Sequence, residues 1–169
     1  MHSYPVFMSR FPAILLNRLW HSTFNERFES IIQDGAILPE PNIPNETRWG
    51  TSQGPNYYPF VRSLGGVSLF DFTDFDPAKC NSSWFSFVPI NVGSGRNIWI
   101  EIDRELVRES LIEPDDLVEK WKASNELRRN IMPHIEAAHI GPLPLSKFVS
   151  VLAYEGGVWR EIVDWKDAI

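Results

Sequence analysis

The sequence predicts an α+β domain built on a β-sheet with few helices. Short apolar segments of strand character recur along the chain, and only two stretches, 24–34 and the one opened by Pro114, space their apolar residues as a helix does. Between positions 39 and 66, proline and glycine break all periodicity. With 169 residues, 43% hydrophobic and 13% aromatic with seven tryptophans, the chain is expected to form a single domain over 1–169 with a full core.

The first strand is expected over Ala13 to Trp20, an apolar run that no helix cap precedes, running on into His21-Ser22-Thr23. The helix that follows, Phe24 to Asp34, places Phe24, Phe28, Ile31 and Ile32 on one side and stops at Gly35, a residue able to take the left-handed position. Gly66 to Phe70 reads as the second strand. Trp84 to Val88 and Asn97 to Ile102 read as the next two, with Gly93-Ser94-Gly95 as the turn between them. In the last of these Ile98, Ile100 and Ile102 alternate with Trp99 and Glu101, as a strand buried on one face requires. Pro114, Asp115 and Asp116 open a second helix with apolar Leu117, Val118 and Trp121, and Arg128 and Arg129 near its negative end. Ile135 to Ala138 and Lys147 to Ala153 are expected to close the sheet around Gly141-Pro142-Leu143-Pro144.

The segment from Pro39 to Gly66 holds prolines at 39, 41, 44, 55 and 59, together with Arg48, Trp49, Tyr57, Tyr58, Phe60 and Arg62. A long aperiodic stretch inside a small domain is read as a binding loop, and these side chains suit stacking on a ring and pairing with phosphates.

A net charge of −6 argues against a surface that coats nucleic acid without specificity, since such surfaces work by releasing counterions from phosphates. One cysteine, Cys80, leaves no internal disulfide and fits a reducing compartment. The apolar run Phe11 to Leu16 is too short to span a bilayer, so a cytoplasmic protein without a membrane partner is expected. Gly93-Ser94-Gly95 opens a strand instead of a helix and does not make a dinucleotide fingerprint. His134 and His139 are five apart, off-face on either regular element, which disfavours a metal site.

What stays is an ordered set: His21 and Thr23, two positions apart at a strand's end, then Ser68 in Gly-Gly-Val-Ser-Leu, then Glu136 ahead of Gly141-Pro142-Leu143-Pro144. A carboxylate between Ile135 and Ala137 either meets solvent or has a designated partner. Glu155 is the competing acid, but Gly156-Gly157 marks it as a turn residue.

In this order, Leu-Trp-His-Ser-Thr, Phe-Glu-Ser-Ile-Ile-Gln-Asp-Gly, Gly-Gly-Val-Ser-Leu and Ile-Glu-Ala-Ala-His-Ile-Gly-Pro-Leu-Pro-Leu, the chain resembles the ADP-ribosyltransferase superfamily over about positions 19–152. The layout is similar to its bacterial toxin-like and phage-defence-like members. The resemblance implies a split, strongly twisted mixed sheet and a mono-ADP-ribosyltransferase that uses NAD, with a nucleic acid or protein as acceptor and a neutralising protein as a possible partner. It assigns Glu136 to stabilising the oxocarbenium-like sugar and orienting the acceptor. His21, Ser22 and Thr23 fall to the adenosine ribose and nicotinamide amide region, and Ser68 to the nicotinamide pocket. Tyr57 or Tyr58 would stack on the ring, and Arg48 or Arg62 would meet the diphosphate. His134 stands two positions before the glutamate, in place of the glutamine or glutamate of the arginine-modifying branch, which points away from arginine as acceptor. Two alternatives are carried: a non-catalytic binding or immunity-type module, and an RNA 2'-phosphotransferase-like enzyme, which needs more basic residues about its cleft.

Overall fold

The structure is a computed structural model that describes residues 11–48, 53–77, 84, 88 and 97–169. The elements of the main sheet are β1 (Leu19–Phe24), β3 (Gly66–Asp71), β4 (Asn97–Ile102), β5 (Leu111–Ile112), β6 (Glu136–Ile140), β8 (Phe148–Glu155) and β9 (Val158–Glu161). They lie in the order β5-β6-β3-β1-β4-β8-β9, while β2 (Ala36–Ile37) and β7 (Leu143–Pro144) form a separate two-stranded ribbon. The helices are α1 (Asn25–Asp34), α2 (Phe60–Ser63), α3 (Arg104–Val107) and α4 (Pro114–Ala123). The expected α+β class and its few helices are seen.

The expected mixed sheet is instead antiparallel in every described pairing. A parallel neighbour needs a crossover that returns the chain to the same sheet end. Here α1 leads into β2 of the ribbon, and the chain comes back through the long loop and α2 to enter β3 beside β1 in the opposite direction.

The first strand begins later than expected. Ala13–Leu15 form a 3-10 turn, Asn17 takes a left-handed φ of 60°, and extended pairing starts only at Leu19. The Leu15 carbonyl accepts from Trp20 Nε1 at 2.9 Å, so the apolar run folds back on the strand it was expected to form. Of the range Trp84 to Val88 only its two ends are described. Val88 N donates to the Trp84 carbonyl at 2.9 Å, a bond between residues four apart that a strand does not make. Gly93-Ser94-Gly95 and Cys80 lie outside the described residues.

α1 forms as its spacing requires. Phe28 and Ile31 are buried, Ile32 packs beside them, and Gly35 ends the helix at φ 71° with its N–H on the Ile32 carbonyl. Phe24 belongs to β1 and stays largely exposed. Burying Phe28 and Ile31 contributes about 1.5–3 kcal/mol each. α4 ends at Ala123, before Arg128 and Arg129, and Arg129 instead reaches the carbonyls of Pro55 and Tyr58.

Strand alternation sorts the core onto two faces. Leu19, Leu69, Ile98, Ile100, Ala137 and Val151 share a cluster with α1 and Trp165, while Trp20, Phe70, Trp99, Leu152 and Leu15 build the opposite one. A third, smaller cluster joins Phe60 and Val61 of α2 to Leu117 of α4 and Ala138. Gly66 lies at that junction, where a Cβ would stand 3.0 Å from Val61 Cγ1 and 3.1 Å from the Val61 carbonyl.

Candidate functional site

The ladder between β1 and β3 is short. It holds only the pairs Leu19↔Asp71 and Trp20↔Phe70, whereas β1 keeps six pairs with β4, and β3 keeps five with β6. Past Trp20, therefore, His21–Phe24 and Gly66–Leu69 face each other without further register pairs. The sheet is continuous in strand order, yet its ladder stops at its centre.

His21 and Ser68 meet at that place. His21 Nδ1 lies 3.0 Å from the Ser68 carbonyl, so a ring N–H takes up an acceptor that lies beyond the ladder. Because a carbonyl only accepts, the neutral imidazole must hold its proton on Nδ1, leaving Nε2 as an acceptor. Desolvation of the partly buried ring is the main cause that sets its pKa below the ordinary value. The Ser68 carbonyl pulls the other way, and the charge of Arg27 adds to the lowering.

The other side of Ser68 binds the glutamate. Ser68 Oγ donates to Glu136 Oε1 at 2.5 Å, and Met132 N donates to Oε2 at 3.0 Å. Both come from the register: Phe70 sits opposite Glu136 and Ser68 opposite Ala138, so Ser68 and Glu136 are diagonal neighbours on one face. Glu136 is only 4% exposed, and desolvation raises its carboxyl pKa, a shift that the bonds from Ser68 and Met132 oppose. Its two oxygens are thus held by protein donors within the interior, which fixes the direction of a charge kept costly to form.

His21 and Glu136 therefore belong to one connected unit but to opposite faces. His21 and Thr23 pair opposite Ile100 and Ile98, while Ser22 pairs opposite Trp99 on the other side and donates to Asn97 Oδ1 at 3.0 Å. Of the residues expected from sequence, Ser68 touches both His21, through its carbonyl, and Glu136, through its hydroxyl. The His21 and Glu136 side chains leave opposite faces and do not face each other, and Thr23 shares the face of His21. Ser22 lies on the other face, that of Ser68 and Glu136, with its hydroxyl on Asn97.

Arg48, Tyr57 and Tyr58 lie apart from that unit, in the loop. Arg48 pairs with Glu40 at 2.9 Å, Tyr57 ends a 3-10 turn at Pro55–Tyr57, and the Tyr58 ring lies under the Arg62 guanidinium at 3.8 Å. The loop is tied to α1 by Arg27, which donates to the Thr47 carbonyl. Sequence reasoning missed Arg27, Glu40 and the Met132 N–H. Arg27 is one of several charged residues in α1 and carries no sequence mark of this contact, and a backbone donor has none.

A cavity of about 240 Å³ opens elsewhere, at the start of β1 and the end of β4, between Arg18, Leu19, Glu101 and Arg104. Its cations are already paired, Arg18 with Glu101 at 3.1 Å and Arg104 with Asp71 at 2.5 Å and Glu113 at 3.0 Å. None of His21, Ser68 and Glu136 lines it. Among the described residues no group of three metal-ligating side chains occurs, and no helix is long and apolar enough to cross a membrane. No protein-family model, no curated protein and no solved structure matches the chain.

Proposed function

We propose that this chain is a mono-ADP-ribosyltransferase that takes ADP-ribose from NAD. The observation that supports this reading above all is the path His21–Ser68–Glu136, laid across the point where the β1–β3 ladder stops. NAD supplies the chemistry of a labile glycosidic bond, whose cleavage releases nicotinamide and places positive charge on the ribose. Glu136, once ionised, is a carboxylate whose direction Ser68 and Met132 have fixed beforehand, the condition under which electrostatic stabilisation of such charge is strongest. His21, neutral and with Nε2 as acceptor, suits a sugar hydroxyl.

The acceptor in this reading is a nucleic acid or a protein, in a toxin or antiviral setting, with a neutralising protein as a possible partner. The test is incubation of the full chain with labelled NAD and cell extract, followed by separation of nucleic acid from protein. Label in either fraction that disappears with Glu136→Gln supports the enzyme. Absence of label, together with no change in melting temperature at NAD concentrations up to millimolar, favours a binding or immunity-type module instead.

A further inference from the structure

In the loop between β2 and β3 two arginines converge on one carboxylate. Glu40 Oε1 accepts from Arg62 Nε at 2.8 Å, and Oε2 accepts from Arg62 Nη2 at 3.0 Å and from Arg48 Nη1 at 2.9 Å. The cations are the enclosed partners: side-chain exposure is 11% for Arg48 and 15% for Arg62, against 60% for Glu40. An ordinary surface pair has the long basic side chain reaching into water, so this one is inverted.

The guanidinium groups are fixed by contacts other than Glu40. Arg62 lies 3.8 Å over the Tyr58 ring and donates to Asn45 Oδ1 at 3.2 Å, and Asn45 Nδ2 in turn donates to the Tyr58 hydroxyl at 2.8 Å. Arg48 also donates to the Pro41 carbonyl. Arg62 Nη1 is buried and meets no hydrogen-bond acceptor among the described residues. Two held guanidinium groups offering several N–H donors to one small anion match the oxygens of a phosphate better than a single carboxylate does.

We propose that Arg48 and Arg62 form a seat for a phosphoanion, in which the Glu40 carboxylate stands in for the phosphate until a ligand displaces it. The seat stands apart from His21, Ser68 and Glu136 but is joined to the elements that carry them. Arg48 follows Thr47, which Arg27 of α1 holds, and α2, with Arg62, leads straight into β3 and Ser68. That the phosphoanion is the diphosphate of NAD rests on the function proposed above. The hydrogen bond from Arg62 is the main cause that keeps the Glu40 carboxyl below its ordinary pKa, so Glu40 competes as an anion throughout the neutral range. The competition sets a threshold: a ligand must bring more negative charge than one carboxylate to take the seat.

Calorimetric titration of inorganic pyrophosphate, with NAD in parallel, into the full chain and its variants tests this. Glu40→Gln removes the competing charge and is expected to bind pyrophosphate about tenfold more tightly than the parent chain. Adding Arg62→Gln to that variant should abolish the gain. Glu40→Asp, which keeps the charge but shortens its reach, should give a smaller gain of the same sign, and it serves if Glu40→Gln proves unstable. Tighter pyrophosphate binding with NAD unaffected supports the seat and removes NAD as its ligand. NAD binding in which neither ligand responds to Glu40→Gln or Glu40→Asp overturns the seat and leaves the proposed activity standing. Failure of pyrophosphate to bind any variant also overturns it.

Discussion

The Ser68 hydroxyl lies 2.5 Å from Glu136 Oε1, while the carbonyl of the same Ser68 lies 3.0 Å from His21 Nδ1. One small residue thereby couples an interior carboxylate on one face of the sheet to a histidine on the other. The proposed chemistry depends on what each of these groups does when the coupling is altered.

Glu136→Gln keeps an acceptor for Ser68 and removes the buried charge. Under the proposed activity, transfer from NAD should fall by about 10²–10³-fold. Because burial raises the Glu136 pKa, its ionised form opposes folding, so the melting temperature at neutral pH should hold or rise. A variant that loses transfer only by unfolding would contradict this.

Ser68→Ala deletes a bond that lowers the Glu136 pKa. The acid limb of the kcat/KM profile should therefore move to higher pH, with a loss of about 10–100-fold in rate at neutral pH. An unshifted limb would mean that Glu136 does not act as the ionised group.

Stability should depend on pH in two opposed ways. The folded chain holds the Glu136 proton more tightly than the unfolded chain, so that contribution fades as pH rises from the ordinary carboxylate value through the raised one. His21 is the reverse: its folded pKa is lowered, so its contribution is lost as pH falls from the ordinary imidazole value toward the lowered one. Denaturant titrations across this range should show the first slope vanish in Glu136→Gln and the second in His21→Asn. His21→Asn retains a donor for the Ser68 carbonyl but not the Nε2 acceptor, and it should also lose the NAD-induced rise in melting temperature.

Gly66→Ala places a methyl group 3.0 Å from Val61 Cγ1, 3.1 Å from the Val61 carbonyl and 3.3 Å from the His139 carbonyl. Overpacking against backbone should cost about 1–3 kcal/mol. Adding Val61→Ala should fail to restore parental stability in urea, because two of the three close atoms are carbonyl oxygens that remain. Full recovery would show that the side chain alone sets the constraint.

Periodicity made much of the fold legible. Ile98, Ile100 and Ile102 announced β4, Phe28, Ile31 and Gly35 announced α1, and Pro114 with Asp115 and Asp116 announced α4. It failed at Ala13 to Leu16, since an apolar run without alternation does not say whether it extends or folds back, and Asn17 and the Trp20–Leu15 bond decided that. Strand direction was equally hidden, because neither alternation nor helical period says from which end the chain re-enters the sheet, and the sheet expected to be mixed is antiparallel in every described pairing. In the site, His21, Ser68 and Glu136 stood out as polar residues set in apolar strands. The pairing of Arg48 with Glu40, and the use of Tyr58 as a platform for Arg62, did not, because both depend on how a long loop closes on itself.

Residue order along the chain settles the composition of the core, the faces of its strands and helices, and which polar side chains those strands have to accommodate. Alternation and helical period are local properties, fixed by geometry over a few residues. The assembled sheet is what makes β1 and β3 neighbours whose ladder stops after two pairs, and what sets Ser68 diagonal to Glu136 across β3 and β6. Register between strands far apart in the chain is set by the packing of whole faces, and a slip of one residue would have turned Ser68 away from Glu136.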